Sequence, residues 1–318
     1  MTGWGARPGA NVVLSYHRIR PAAASTGIPE AEGPAAVGMV VHEDRFRRHL
    51  AALAGRYEVV PARDARRRGA RRRVAITFDD GYADNAVVAA PALRHFGLPA
   101  TFFATTVGLE AGTEYWWDRL EHALLSAAPV PGRLRLRAGR ASIEMSAATL
   151  DERATAFRTL TKLLRSSPPT VVEDVVGQLE ATTGVPLVAC DAHRRMSAAQ
   201  LRELAEHPLF EIGSHTCTHA CLRSLSRTAS RRELTRSREV LAEVLGAPPS
   251  LLAYPYGAPP SVGRRHRAEA RRAGYELAFV NTAGSADRSS PTAVHRLPVV
   301  DCEAEELLAS VDSWMAGS

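Results

Sequence analysis

Two adjacent carboxylates, Asp79 and Asp80, and two histidines spaced as His-Thr-Cys-Thr-His, His215 and His219, are the residues that point first to chemistry. Neighbouring side chains on a turning backbone point in different directions, so one acid of a pair can hold a metal while the other moves protons. Two imidazoles and one carboxylate leave coordination positions open for water and substrate, the pattern of a catalytic rather than a structural site. An ion held that way polarises a carbonyl and lowers the pKa of bound water, and Asp79 is then available as general base. Neither pair is specific alone. With 11 histidines in 318 residues, chance gives about 0.4 His-x-x-x-His pairs, and adjacent acids often cap helices. Cys217 and Cys221 interleave with the histidines, so a structural His/Cys zinc site is an alternative, one in which Asp80 has no role.

Hydrophobic patterning shows what must position these groups. Apolar runs at 11–16, 74–78, 99–106, 210–214, 251–254 and 276–280 predict buried strands, with a further short strand at 57–60. Helical spacing predicts helices over 42–56, 82–96, 264–273 and 303–315. Ser197 with Gln200, and Ser230 with Glu233, form candidate capping boxes for helices reaching His207 and Leu245. Strand and helix pairs in this order predict an α/β fold with a parallel, barrel-like sheet. Catalytic groups gather at the carboxyl ends of such strands. Tyr16, His17, Asp79, Asp80, His215, His219 and Tyr256 all fall at or just past those ends. The alternation breaks after about residue 106, behind the Pro/Ala/Gly-rich loop 21–38 and four strands. The break contains the cluster Tyr115-Trp116-Trp117-Asp118, an amphipathic run at 119–125, a polar stretch, and helical patterning over 150–179. The expected organisation is a barrel from 1–106 and 196–318 with a largely helical insertion, 107–195, capping the site.

A strand ending in Thr77-Phe78-Asp79-Asp80-Gly81-Tyr82, a later one ending in Ser214 and His215 to His219, and a third ending in Leu252-Ala253-Tyr254-Pro255-Tyr256-Gly257 are hard to obtain together by accident. In that order they resemble the first three motifs of the NodB-type polysaccharide deacetylases, carbohydrate esterase family four, over about residues 11–106 and 196–300. The resemblance implies a distorted (β/α) barrel of about seven strands that hydrolyses N-acetyl groups on glycans. It implies Asp79 as base, Asp80, His215 and His219 as ligands of a divalent metal, and the Tyr256 backbone N–H as an oxyanion donor. Zinc suits the ligand set, and iron, cobalt or nickel would also fit. Tyr16-His17 resembles the branch acting on exopolysaccharides, cell-surface sugars and secondary-metabolite sugars, which puts Tyr16 and His17, with Tyr82, Trp116 and Trp117, among the expected substrate contacts; the tryptophans could equally anchor the insertion to the barrel. Two departures stand out. Ala253 occupies the place of an arginine that normally orients the base, and the leucine–histidine pair that supplies the general acid is missing near the C-terminus. Arg296 is the candidate for the first role, as a fork over Asp79, and His295 for the second.

Composition bounds the rest. The 45% hydrophobic and 23% charged content is that of a folded globular chain. The net charge of +6 comes almost wholly from arginine, with Lys162 the single lysine. The dense run Arg66–Arg68 and Arg71–Arg73 has no interleaved aromatics, so it reads as a solvated loop and no nucleic-acid partner is expected. No segment reaches the roughly 20 apolar residues of a membrane span. The cysteines, Cys190, Cys217, Cys221 and Cys302, are too few and too irregular for a disulfide framework, and no signal-peptide pattern is seen, so a cytoplasmic location with reduced thiols is expected. The expected substrate is an N-acylated (acetyl or formyl) amino sugar within a small glycan precursor or glycoside. A non-sugar amide or cyclic imide, and a non-catalytic carbohydrate-binding barrel, are the rival readings, the last weakened by the presence of both acids and both histidines.

Overall fold

The computed structural model describes residues 10–21, 39–109, 114–126, 130–184, 193–259 and 261–316. Most of the loop 21–38, and Cys190, lie outside them. The buried runs form strands as their composition requires. β1 (Val12–Tyr16) is followed by β2 (Arg18–Arg20) and β3 (Val40–His42), which pair with each other beside the main sheet. Then come α1 (Glu43–Arg56), β4 (Glu58–Val59), β5 (Arg73–Phe78), a π-helical turn at 85–89 running into α2 (Ala90–Phe96), and β6 (Ala100–Ala104). The insertion holds α3 (Trp116–Leu125), β7 (Arg133–Ala138), β8 (Ala141–Ser146), α4 (Leu150–Leu164) and α5 (Pro169–Thr183). After it follow α6 (Ala198–Glu206), β9 (Phe210–Ser214), α7 (Arg227–Leu245), β10 (Leu251–Ala253), α8 (Arg264–Arg272), β11 (Leu277–Val280), β12 (Val294–His295), β13 (Leu297–Pro298) and α9 (Ala304–Ala316). Among the described residues no helix is long and apolar enough to cross a membrane.

The main sheet runs β11-β10-β9-β6-β5-β1, parallel throughout, with β4 added at the start of β5. β12 pairs with β11 and β13 with β1. Those two short strands flank a single residue, Arg296, so the segment 294–298 joins both edges and the sheet nearly closes into a seven-stranded barrel. This last strand escapes sequence patterning because each edge engages only two residues of it.

The period of two along each strand decides what reaches the barrel interior. Val13, Ala75, Phe103, Ala253, Phe279 and Val294 point in and pack together, while Val12, Leu14, Tyr16, Val74, Ile76, Phe78 and Phe102 point out against the helices. Each fully buried phenylalanine of that outer layer contributes about 1.5–3 kcal/mol. The interior is tight: a Cβ at Gly213 would lie 2.4 Å from the Phe103 ring, so only glycine fits opposite it.

The insertion buries a hydrophobic cluster of its own, with Leu120 and Leu124 from α3, Leu134 and Leu136 from β7, Phe157 and Leu160 from α4, and Val175, Val176 and Leu179 from α5. The hairpin β7–β8 within it was not expected. Its signal is the alternation in Arg133-Leu134-Arg135-Leu136-Arg137, which buries only the two leucines and is too short to stand out in a polar stretch. Ser197 and Gln200 do form a capping box on α6. Ser230 and Glu233 do not: α7 begins one turn earlier, capped by Ser226 accepting from the Ala229 N–H.

Candidate active site

β5 delivers Asp79 inward and Asp80 to the rim. A strand cannot turn that sharply with ordinary dihedrals, and Asp80 takes φ 71°, followed by Gly81 at φ 71°. A Cβ at Gly81 would stand 3.0 Å from the Ala104 Cβ, so this turn needs glycine. The only other non-glycine residues with left-handed φ among those described are Thr216, His219 and Tyr256. All four lie in the loops after β5, β9 and β10. Such conformations cost on the order of 1–3 kcal/mol each and persist where the surroundings hold them; here they aim side chains at one point.

That point is Asp80 Oδ1, with His215 Nε2 at 3.3 Å and His219 Nε2 at 3.1 Å. His215 donates from Nδ1 to the Ala253 carbonyl at 2.8 Å, a bond that fixes the tautomer and leaves the Nε2 lone pair for a metal. The two rings are T-shaped, 4.8 Å apart. All three residues are buried, and their ligand atoms lie within 4.8 Å of one another. Burial alone would raise the Asp80 carboxyl, but His215 and His219 hold it well below the usual carboxylate range. Two convergent imidazole nitrogens and an ionised carboxylate fit a divalent ion.

Asp79 is gripped separately. Arg296 is fully buried and donates from Nη1 to Asp79 Oδ1 at 2.7 Å and from Nη2 to Oδ2 at 2.6 Å. The fork is itself held, with Nη1 donating to Thr77 Oγ1 at 3.2 Å and Nε to Asn281 Oδ1 at 3.1 Å. Ser15 Oγ adds a 3.4 Å donor to Asp79. Burial raises the Asp79 carboxyl, yet the Arg296 charge, with His215 and His17, brings it below its ordinary value. The guanidinium thus enters the interior from the last strand instead of from the Ala253 position on β10.

Over Asp80, His215 and His219 stands an aromatic wall. Tyr256 meets the His219 ring edge-on at 4.8 Å, and Trp117 does so at 4.7 Å from the other element. Trp117 stacks on Tyr115 at 4.3 Å, and the Tyr115 hydroxyl donates to the Asp80 carbonyl. Arg165, at the end of α4, places its guanidinium 4.6 Å over the Tyr256 ring. The insertion therefore touches His219 through Tyr115 and Trp117, and Tyr256 through Arg165.

The family model for polysaccharide deacetylase matches residues 66–126 and 166–278, more than half of the chain. The chain belongs to the polysaccharide deacetylase family. Its fold is similar to that of a Streptococcus pyogenes deacetylase solved with acetate, at 18% identity and TM-score 0.61 over 96% of this chain and 99% of that one. A de-N-acetylase from Aggregatibacter actinomycetemcomitans gives 16% and 0.56 over 96% and 99%. IcaB from Ammonifex degensii gives 17% and 0.55 over 96% and 97%. None of the curated proteins matches the chain.

Within this deacetylase barrel, three expected contacts fall elsewhere. Tyr16 is fully buried, its hydroxyl on His49 Nδ1 at 3.2 Å and its ring against Phe46 and Phe78; Ser15 points in, so Tyr16 must point out. His295 is misplaced for the same reason. Arg296 takes the inward position, and His295 turns outward to Thr282 Oγ1 at 2.8 Å, which removes it as general acid. Tyr82 is buried beneath the wall, where its hydroxyl donates to Asp118 at 2.8 Å and accepts from the Trp117 indole at 2.8 Å. Trp116 and Trp117 are half-buried and anchor the insertion as well as lining the site. His17, two residues after Ser15, faces inward with a buried Nδ1 that has no partner, close enough to Asp79 and Asp80 to lower both carboxyls.

One positioning residue escaped sequence reading. Glu233 accepts from the Cys217 and Thr218 N–H groups, both at 2.9 Å, and from Thr218 Oγ1 at 2.9 Å, tying down the loop between the two histidines. Its only sequence signal was the false capping box. Glu233→Ala is expected to weaken metal binding on the order of 10-fold, the low end for groups that orient ligands. Equilibrium dialysis checks it; an unchanged Kd would show that the loop holds its shape without the carboxylate.

Proposed function

We propose that the chain is a metal-dependent N-deacetylase of a small N-acylated amino sugar, with Asp80, His215 and His219 holding the ion. Zinc is the proposed ion; when bound there, it polarises the acyl carbonyl and acidifies a water. Asp79, held ionised by Arg296, takes the proton from the attacking water. The Tyr256 backbone N–H, in its left-handed turn, serves as the oxyanion donor. His17 supplies the proton to the leaving amine, since it is the histidine beside Asp79 and Asp80 that is not needed to hold the ion and its Nδ1 has no hydrogen-bond partner. Size selection falls to the insertion, 107–195, as a cap. The single observation carrying the small-substrate reading is the wall of Trp117, Tyr115 and Arg165 against His219 and Tyr256, which narrows the mouth where a polymer would cross. A cytoplasmic location is part of the proposal, supported by free Cys217, Cys221 and Cys302 thiols.

The test is acetate or formate release by zinc-loaded protein from a panel of N-acetyl and N-formyl amino sugars, chitin oligomers and cyclic imides. Release from monosaccharide-sized amides at least 10-fold faster than from the oligomers is expected. A preference for oligomers would overturn the cap, and turnover of imides alone would overturn the sugar.

A further inference from the structure

A second cluster of metal-ligating groups lies where the insertion leaves and rejoins the barrel. Asp118 and Glu121 stand three residues apart on α3, hence on one face. His193 is where the chain returns, two residues before Arg195 bridges to Tyr82. Their exposures are 2%, 5% and 2%, and one ligand atom from each lies within 4.8 Å of the others. Tyr82 donates to Asp118 Oδ2 at 2.8 Å, which leaves Oδ1 for another partner. His193 Nδ1 is buried without a hydrogen-bond partner. It stands 3.8 Å from Glu114 Oε1, beyond hydrogen-bond reach but near the roughly 3.3 Å that separates two ligands of a tetrahedral ion bound at about 2.0 Å.

The charge balance points the same way. The carboxylates Asp84, Glu114, Asp118 and Glu121 share this region with two guanidiniums, Arg18 and Arg20. Arg18 is engaged by Asp84 at 3.4 Å and by the face of Tyr82 at 4.8 Å. Asp118 and Glu121 are both buried, and one dication bound between them would offset both charges.

We propose that Asp118, Glu121 and His193, with Glu114 closing in, form a second divalent-cation site of the zinc or manganese type that clips both ends of the insertion to the barrel. Imidazole with carboxylates suits these ions better than calcium or magnesium. The site is structural: it joins α3 to the returning chain and, through Tyr82, to the turn after Asp80.

Full-length protein is stripped with a chelator, titrated with ZnCl2, and its metal content measured after dialysis. Two zinc ions per chain are expected for the unaltered protein, and one each for Asp118→Asn, His193→Gln and Asp80→Asn. Zinc should raise the Tm of Asp80→Asn but raise that of His193→Gln less. Circular dichroism of the metal-free forms shows that the variants fold, and Asp118→Asn keeps the acceptor for Tyr82 if His193→Gln does not. A stoichiometry of one, lost in Asp80→Asn and kept in the other two variants, would overturn this site and leave the catalytic proposal standing. A single ion lost in His193→Gln and kept in Asp80→Asn would support this site and overturn the proposed catalytic one.

Discussion

Asp79→Asn is expected to keep its metal and to lose turnover by a factor of about 10² to 10⁴, the range for a lost general base, whereas Asp80→Ala loses metal and activity together. The two acids are adjacent in sequence, yet their surroundings divide them. Asp80 has both imidazole Nε2 atoms within 3.3 Å. Asp79 has the guanidinium fork of Arg296, itself held by Thr77, and a serine, a setting that keeps it ionised and turned toward the site. The amide keeps the shape and loses the proton acceptor. Metal content and turnover are measured on the same preparations, with circular dichroism to show folding. Metal loss in Asp79→Asn would mean that Asp79 is a ligand, and near-normal turnover would move the base to another group, His17 first.

The residues of this division were legible because each pair is local. Asp79-Asp80 and the His215–His219 segment each follow one buried apolar run, and such runs announce strands whose carboxyl ends share a face in a parallel fold. What sequence could not supply was strand phase. Tyr16 and His295 were expected in the site, and both lie one residue from groups that do reach the interior, Ser15 and Arg296. A shift of one residue exchanges the two faces of a strand, and nothing in Val12-Val13-Leu14-Ser15-Tyr16 says which face is inside when both are buried. Glu233 and the Asp118–His193 cluster were hidden for another reason: contacts across 15 or more residues between helix and loop leave no periodic trace. Trp117 was legible as an aromatic near the site, but its dual part, indole on Tyr82 and ring against His219, depends on packing alone.

Arg296→Ala is expected to cut turnover by about 10² without emptying the metal site, and to cost about 3–5 kcal/mol of stability. The stability loss follows because truncation strands Asp79 as an unpaired buried charge. Asp79 is 2% exposed and Arg296 0%, so water cannot replace the lost partner. Arg296→Lys keeps the charge but cannot make two parallel bonds to one carboxylate, and it also forfeits the bonds that Thr77 and Asn281 accept. Its turnover should fall by roughly 10-fold, between the unaltered protein and the alanine variant, with a smaller drop in Tm. A merely structural arginine would lower Tm and leave the kcat of the folded fraction alone, so kcat is measured well below the melting range. The decisive comparison is the double variant with Asp79→Asn. If the fork acts through Asp79, removing it from an enzyme that has already lost the carboxylate changes kcat little, because residues acting as a unit are non-additive. The stability terms should couple as well: each single variant strands one buried charge and the double variant strands neither, so the double should be less destabilised than the sum of the two by about 0.5–3 kcal/mol. Additive losses in both kcat and stability would separate Arg296 from Asp79 and leave the base without an orienting partner.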